Sequence, residues 1–95
     1  MDKEKLKRTL NSVGKKCFVK YFPLFNDNSF SNGEIAKIIK QERGYTDHAC
    51  KTRTGHSRII IDSGNLKEAL TIIISSKRLD SSVIALAQDH LEKYC

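Results

Sequence analysis

Leu6, Leu10, Val13 and Cys17 follow one another at steps of four, three and four, a spacing that brings side chains onto one face of an α-helix and onto no single face of a strand. The same period returns as Ile35, Ala36, Ile38 and Ile39, as Leu66, Ala69, Leu70 and Ile73, and as Val83, Ile84, Ala87 and Leu91. A chain of 95 residues has room for one core, because short domains bury proportionally less surface and rarely divide. The pattern therefore predicts a single all-α domain, residues 1–95, built from four or five helices.

Local chemistry sets the helix ends. The first helix is expected from Asp2 to Phe22, with a bend at Gly14, which costs about 1 kcal/mol relative to Ala inside a helix. Pro23 disfavours helical backbone at Phe22 and is expected to stop it; Cys17–Phe22 would also suit an extended strand. Asn26 to Phe30 reads as a loop. Ser31-Asn32-Gly33-Glu34 matches a capping box, with Phe30 placed to staple against Ile35, and Gly44 is the left-handed residue that ends such a helix. Tyr45-Thr46-Asp47 offers a new N-cap for a helix to about Thr54, which Gly55 is expected to end. Asn65-Leu66-Lys67-Glu68 repeats the capping pattern for a helix to about Ser76, and Asp80 caps a last one over Ser81–Lys93. The triplets Ile59-Ile60-Ile61 and Ile72-Ile73-Ile74 favour strands by propensity. The alternative fold is thus a winged helix with a β-hairpin at 58–76.

Composition narrows the functional classes. The hydrophobic fraction is 39% and the charged fraction 29%, which suits a folded chain rather than a disordered one. No apolar run approaches the roughly 20 residues of a membrane span. The N-terminal mixture of charge signs lacks the apolar core of a secretory signal, so the expected location is cytoplasmic. Cys17, Cys50 and Cys95 form an odd set without a paired framework, which points to reduced thiols. Cys17 and Cys50 read as small core residues, and Cys95 as a terminal thiol.

The net charge is +6, and it is unevenly placed. Residues 1–30 carry seven Lys/Arg against three acids, residues 31–64 six against four, and residues 65–95 four against four. A positive surface favours polyanions. Between His48 and Ile61 stand Lys51, Arg53 and Arg58, two histidines and three hydroxyl residues, and no acid. A helix so decorated donates to phosphates and base edges with no carboxylate to repel the backbone. Lys51, Arg58, Thr52 and His48 fall on its outer face, and Gly55 permits close backbone approach. Arg53 falls nearer the core and is expected to pack internally.

The capped helix with Ile35-Ala36 and Ile39, the turn at Gly44 and the small residues Ala49-Cys50 together make Ser31 to Ile61 resemble the helix-turn-helix of DNA-binding proteins. The turn differs from the tightest form of that motif: Gly44 lies eight residues after Ala36 rather than about four. The resemblance implies a regulatory DNA-binding domain whose second helix reads duplex DNA, with Lys7, Lys15 and Lys16 adding phosphate contacts. The competing reading is a non-catalytic protein-interaction or assembly module, a homodimer through the isoleucine-rich C-terminal third.

Enzymatic readings fail on inventory. His48 lies two residues from Cys50 and points elsewhere on a helix. The cysteines and histidines show no paired metal-ligand spacing, and Gly14-Lys15-Lys16 lacks the phosphate-loop pattern. No cofactor, metal or small-molecule substrate is expected. Phe18, Tyr21, Phe22 and Phe25, with Lys15, Lys16 and Lys20 beside them, read as the cap of the core; the alternatives are a base-stacking platform or a partner interface.

Overall fold

The computed structural model describes residues 1–95, which form six helices and no strand: α1 (Lys3–Val13), α2 (Lys15–Phe25), α3 (Asn32–Arg43), α4 (Asp47–Asp62), α5 (Leu66–Ile74) and α6 (Ser81–Tyr94). The all-α domain is as expected, with one more helix than the upper count. The first amphipathic stretch is not one bent helix but two. Gly14 adopts φ 89°, a conformation that L side chains avoid. The Arg53 guanidinium donates to the Val13 carbonyl there, and a Cβ on Gly14 would lie 2.9 Å from Arg53 Nη1. The break is thus a junction held from α4, and Arg53 packs internally as its position on the wheel implied.

Pro23 does not end α2, which continues to Phe25. A proline inside a helix removes the N–H that would bond the carbonyl four residues back, here that of Val19. His90 Nε2, buried on α6, lies 2.9 Å from the Val19 oxygen and, facing an atom that only accepts, must carry the proton. The bond that proline removes is replaced from another helix.

The capping box at Ser31 forms in full: Ser31 Oγ accepts from the Glu34 N–H and Glu34 Oε1 from the Ser31 N–H, each at 3.1 Å. Gly44 closes α3 in the left-handed region at φ 70°, and Thr46 Oγ1 accepts from the Ala49 N–H to start α4. Gly55 does not end α4, which runs through it to Asp62. At that end the Asn65 N–H bonds the Ile60 carbonyl and the Gly64 N–H the Ile61 carbonyl, the paired bonds of a Schellman motif. The segment 62–65 is therefore a helix stop rather than a hairpin turn, and both isoleucine triplets are helical. The winged alternative does not occur. Only the middle residues, Ile60 and Ile73, are fully buried, because helical rotation turns their neighbours aside. Asn65 and Asp80 occupy N-cap positions without side-chain capping bonds; Asn65 Nδ2 donates instead to the backbone and hydroxyl of Ser63.

The centre of the fold is α4, which packs against α1 and α3 and also meets α2 and α5, while α6 covers α2 and α5. Its inward residues are small: Cys50, Thr54 and Ser57 are buried with Ile60. Thr54 and Ser57 return their hydroxyl protons to the carbonyls of Cys50 and Arg53, at 2.8 and 2.7 Å, so their burial leaves no polar group unpaired. Phe18, Tyr21, Phe22 and Phe25 are all buried, which makes the aromatic cluster core and not a stacking platform.

Candidate nucleic-acid interface

The turn Gly44–Thr46 joins α3 to α4 and is pinned by an ion pair, Lys40 Nζ to Asp47 Oδ1 at 2.8 Å. That pair holds the Asp47 carboxyl below its usual range and the Lys40 ammonium above its own, through the hydrogen bond first and the Coulomb attraction second. It is the one ion pair in the protein, so the remaining cations stand without carboxylate partners. A shallow depression of about 530 Å³ runs along this helix pair, with Lys37, Lys40, Lys51 and the carboxylate of Asp47 on its walls and Gly33 and Ala36 in its lining.

On α4 itself, His48 and Lys51 are exposed, and Thr52, Gly55 and Arg58 are half-buried. Nothing lies within 4 Å of where a Cβ on Gly55 would stand, so the backbone is open there. His48, Thr52, Gly55 and Ile59 recur at helical spacing and form the outer ridge, with Ile59 52% exposed at its end.

Arg58 departs from its expected role. Its guanidinium bonds Asn32 Oδ1 at 2.9 Å and the carbonyls of Asp27 and Phe30 at 2.8 and 2.7 Å, while Nε is buried without a partner. Arg58 thus clamps the α2–α3 loop and does not project as a free cation. Within that loop Asp27 accepts from the hydroxyl and N–H of Ser29, bonds that hold its carboxyl low.

The three lysines assigned to flanking phosphate contacts do not form one surface with the α4 ridge. Lys7 and Lys15 line a separate groove between α1 and α5, and Lys15 Nζ is tied to Ser76 Oγ at 2.8 Å. Lys16 is exposed on the first turn of α2. What the sequence reading missed is the contribution of α3. Lys37 and Lys40 lie three residues apart, off the Ile35–Ile39 stripe, a signal available from the wheel alone.

Both internal cysteines are buried. Burial pushes the Cys17 and Cys50 thiols up, against the opposing pull of Arg53, which suits apolar filling between helices. No helix is long and apolar enough to cross a membrane. No protein-family model, curated protein or solved structure matches this chain.

Proposed function

We propose that this domain binds nucleic acid, duplex DNA by preference, through the face formed by α3 and α4. The observation that carries the reading is the pairing of an open, acid-free ridge, His48-Thr52-Gly55, with two lysines that have no carboxylate partner, Lys37 and Lys51, on the depression beside it, where Lys40 is paired with Asp47. In this reading the lysines meet phosphates, Gly55 lets the backbone approach, and His48 and Thr52 reach base edges. Because α4 is flanked by α1 and α3, its full width does not sink into a major groove of about 12 Å; binding is led by phosphates, with sequence choice second. Arg58 supports the site by fixing the loop before α3.

Fluorescence anisotropy of a labelled mixed-sequence duplex, titrated at several salt concentrations, tests this. Binding should weaken steeply with salt, and Lys37→Ala and Lys51→Ala should each lower the salt slope by about one. Absence of binding at low salt by folded protein overturns the reading. The weight then moves to a protein partner, for which exposed Ile59 is the contact on the same ridge. For the alternative dimer through the C-terminal third, Ile73 is buried and Ile72 and Ile74 are partly buried against the core, which leaves less apolar surface there than the sequence implies.

A further inference from the structure

Beside α1, on the side where α5 approaches it, the helices part to leave an open groove of about 1040 Å³ lined by ten residues, of which only two are hydrophobic. Four of the ten are lysines, Lys3, Lys7, Lys15 and Lys67, against a single carboxylate, Glu68. None of these lysines has an ion-pair partner. Like charges gathered around one concavity repel one another, and the walls of a cleft focus their field on whatever enters it.

The lysines are also ordered along the groove. Lys3 and Lys7 lie one turn apart on α1, about 6 Å along the axis, and Lys15 stands past the Gly14 junction with its ammonium held by the Ser76 hydroxyl at 2.8 Å. That hydroxyl in turn bonds the Ile72 carbonyl at 3.1 Å. Lys15 is therefore a hydrogen-bonded ammonium on the α2 side, with the exposed Lys3 and Lys7 along α1 and Lys67 on the α5 wall. No aromatic ring lines the groove, so it lacks the stacking platform that single-stranded nucleic acid uses.

We propose that the α1–α5 groove is a second anion site that binds an oligophosphate chain, whether free or carried by a nucleotide. Successive phosphates lie along Lys3, Lys7 and Lys15, with Lys67 closing from α5. The site is independent of the α3–α4 face and does not rest on the nucleic-acid reading.

Isothermal titration with inorganic tripolyphosphate tests it, with amide chemical shifts followed in parallel. Wild-type protein should bind, with shifts concentrated in α1 and α5, and the Lys7→Ala, Lys67→Ala double variant should bind on the order of tenfold more weakly. Duplex binding by α3–α4 should be little changed in that variant. Lys3→Ala, at the exposed start of α1, should weaken binding in the same direction without altering α5. ATP binding as tightly as tripolyphosphate identifies the chain alone as the ligand. Tighter ATP binding that is lost with Ile72→Ser places the nucleoside against the Ile72 side chain. No binding of either compound by wild-type protein overturns the proposal, as does unchanged affinity in folded lysine variants. Failure of duplex binding with tripolyphosphate binding intact removes the α3–α4 reading and leaves this one standing.

Discussion

Two glycines show how one residue type does opposite work at different backbone angles. Gly14 sits at φ 89° under the Arg53 guanidinium, so Gly14→Ala meets both a strained backbone and a displaced arginine. Thermal or denaturant unfolding should register a loss of about 1–3 kcal/mol. Gly55 is within a regular helix with open space around it, and Gly55→Ala should stabilise the fold by about 0.5–1 kcal/mol. If its bare backbone meets a phosphate, the same variant should bind the duplex more weakly while melting at a higher temperature. A stabilised protein with undiminished duplex affinity would remove Gly55 from the interface. Arg58→Ala belongs with Gly14→Ala as a test of structure: it removes the side-chain donor of the Phe30 carbonyl and one of the two donors of the Asp27 carbonyl, which keeps the Phe30 N–H, and should cost about 1–3 kcal/mol.

Among the elements, α2 depends most on a distant one. Pro23 leaves the Val19 carbonyl without its helical donor, and His90 supplies one while packing against Phe22 and Tyr94 at ring-centroid distances of 4.9 and 5.9 Å. His90→Leu should destabilise the protein by about 1–3 kcal/mol through the orphaned carbonyl. In a Pro23→Ala background the restored N–H serves that carbonyl, and the same substitution should cost less by about 1 kcal/mol in a double-mutant cycle. Equal costs in both backgrounds would mean that His90 acts through ring packing alone. This pair also marks the boundary of what was legible in the sequence. Helix starts at Ser31 and Thr46 and the stop at Gly44 are set by neighbours within a few residues, and they read correctly. The rule that proline stops a helix failed at Pro23 because its compensation lies on α6. Arg58 was misread for the same reason: its angular position on α4 is outward, yet the carbonyls that capture it come from a loop whose path no local pattern reveals. Gly55 does not act as the expected stop because its propensity cost is small beside the packing of α4 on four other helices.

For the molecule as a whole, the buried acids that stay protonated give a pH dependence. Burial pushes Cys17, Cys50 and Tyr21 up, the last helped by Glu42. Because the folded values are raised, the native state holds these protons longer than the unfolded chain. Their contribution is complete below the unfolded thiol value of 9.0 and falls away as pH rises through the folded ones. Unfolding free energy should therefore decline on the alkaline side of about pH 9, and a Cys17→Ala, Cys50→Ala variant should show a flatter decline in a pH series of denaturant melts. At the acid end Asp27 and Asp47 are held low. The corresponding small stabilisation is present above the usual carboxylate range and fades as pH falls through the folded values. The legible part at this scale was the class of fold and its single core; the division of surface lysines between two separate depressions was not, because Lys7 and Lys51 acquire different neighbours only when α1 docks on α4 and α5.

That docking also orders the events of folding. The Arg53 guanidinium that closes the end of α1 comes from a residue 40 positions later in the chain, whereas α3 and α4 meet through a three-residue turn. Loop closure favours near contacts over far ones, so the α3–α4 hairpin is the natural nucleus and α1 a late arrival. During synthesis α1 leaves the ribosome before α4, and its apolar stripe Leu6, Leu10 and Val13 lacks its main packing partner until α4 has followed it out. The interval in which this chain is most exposed to aggregation or to a chaperone is thus written into the distance between Val13 and Arg53.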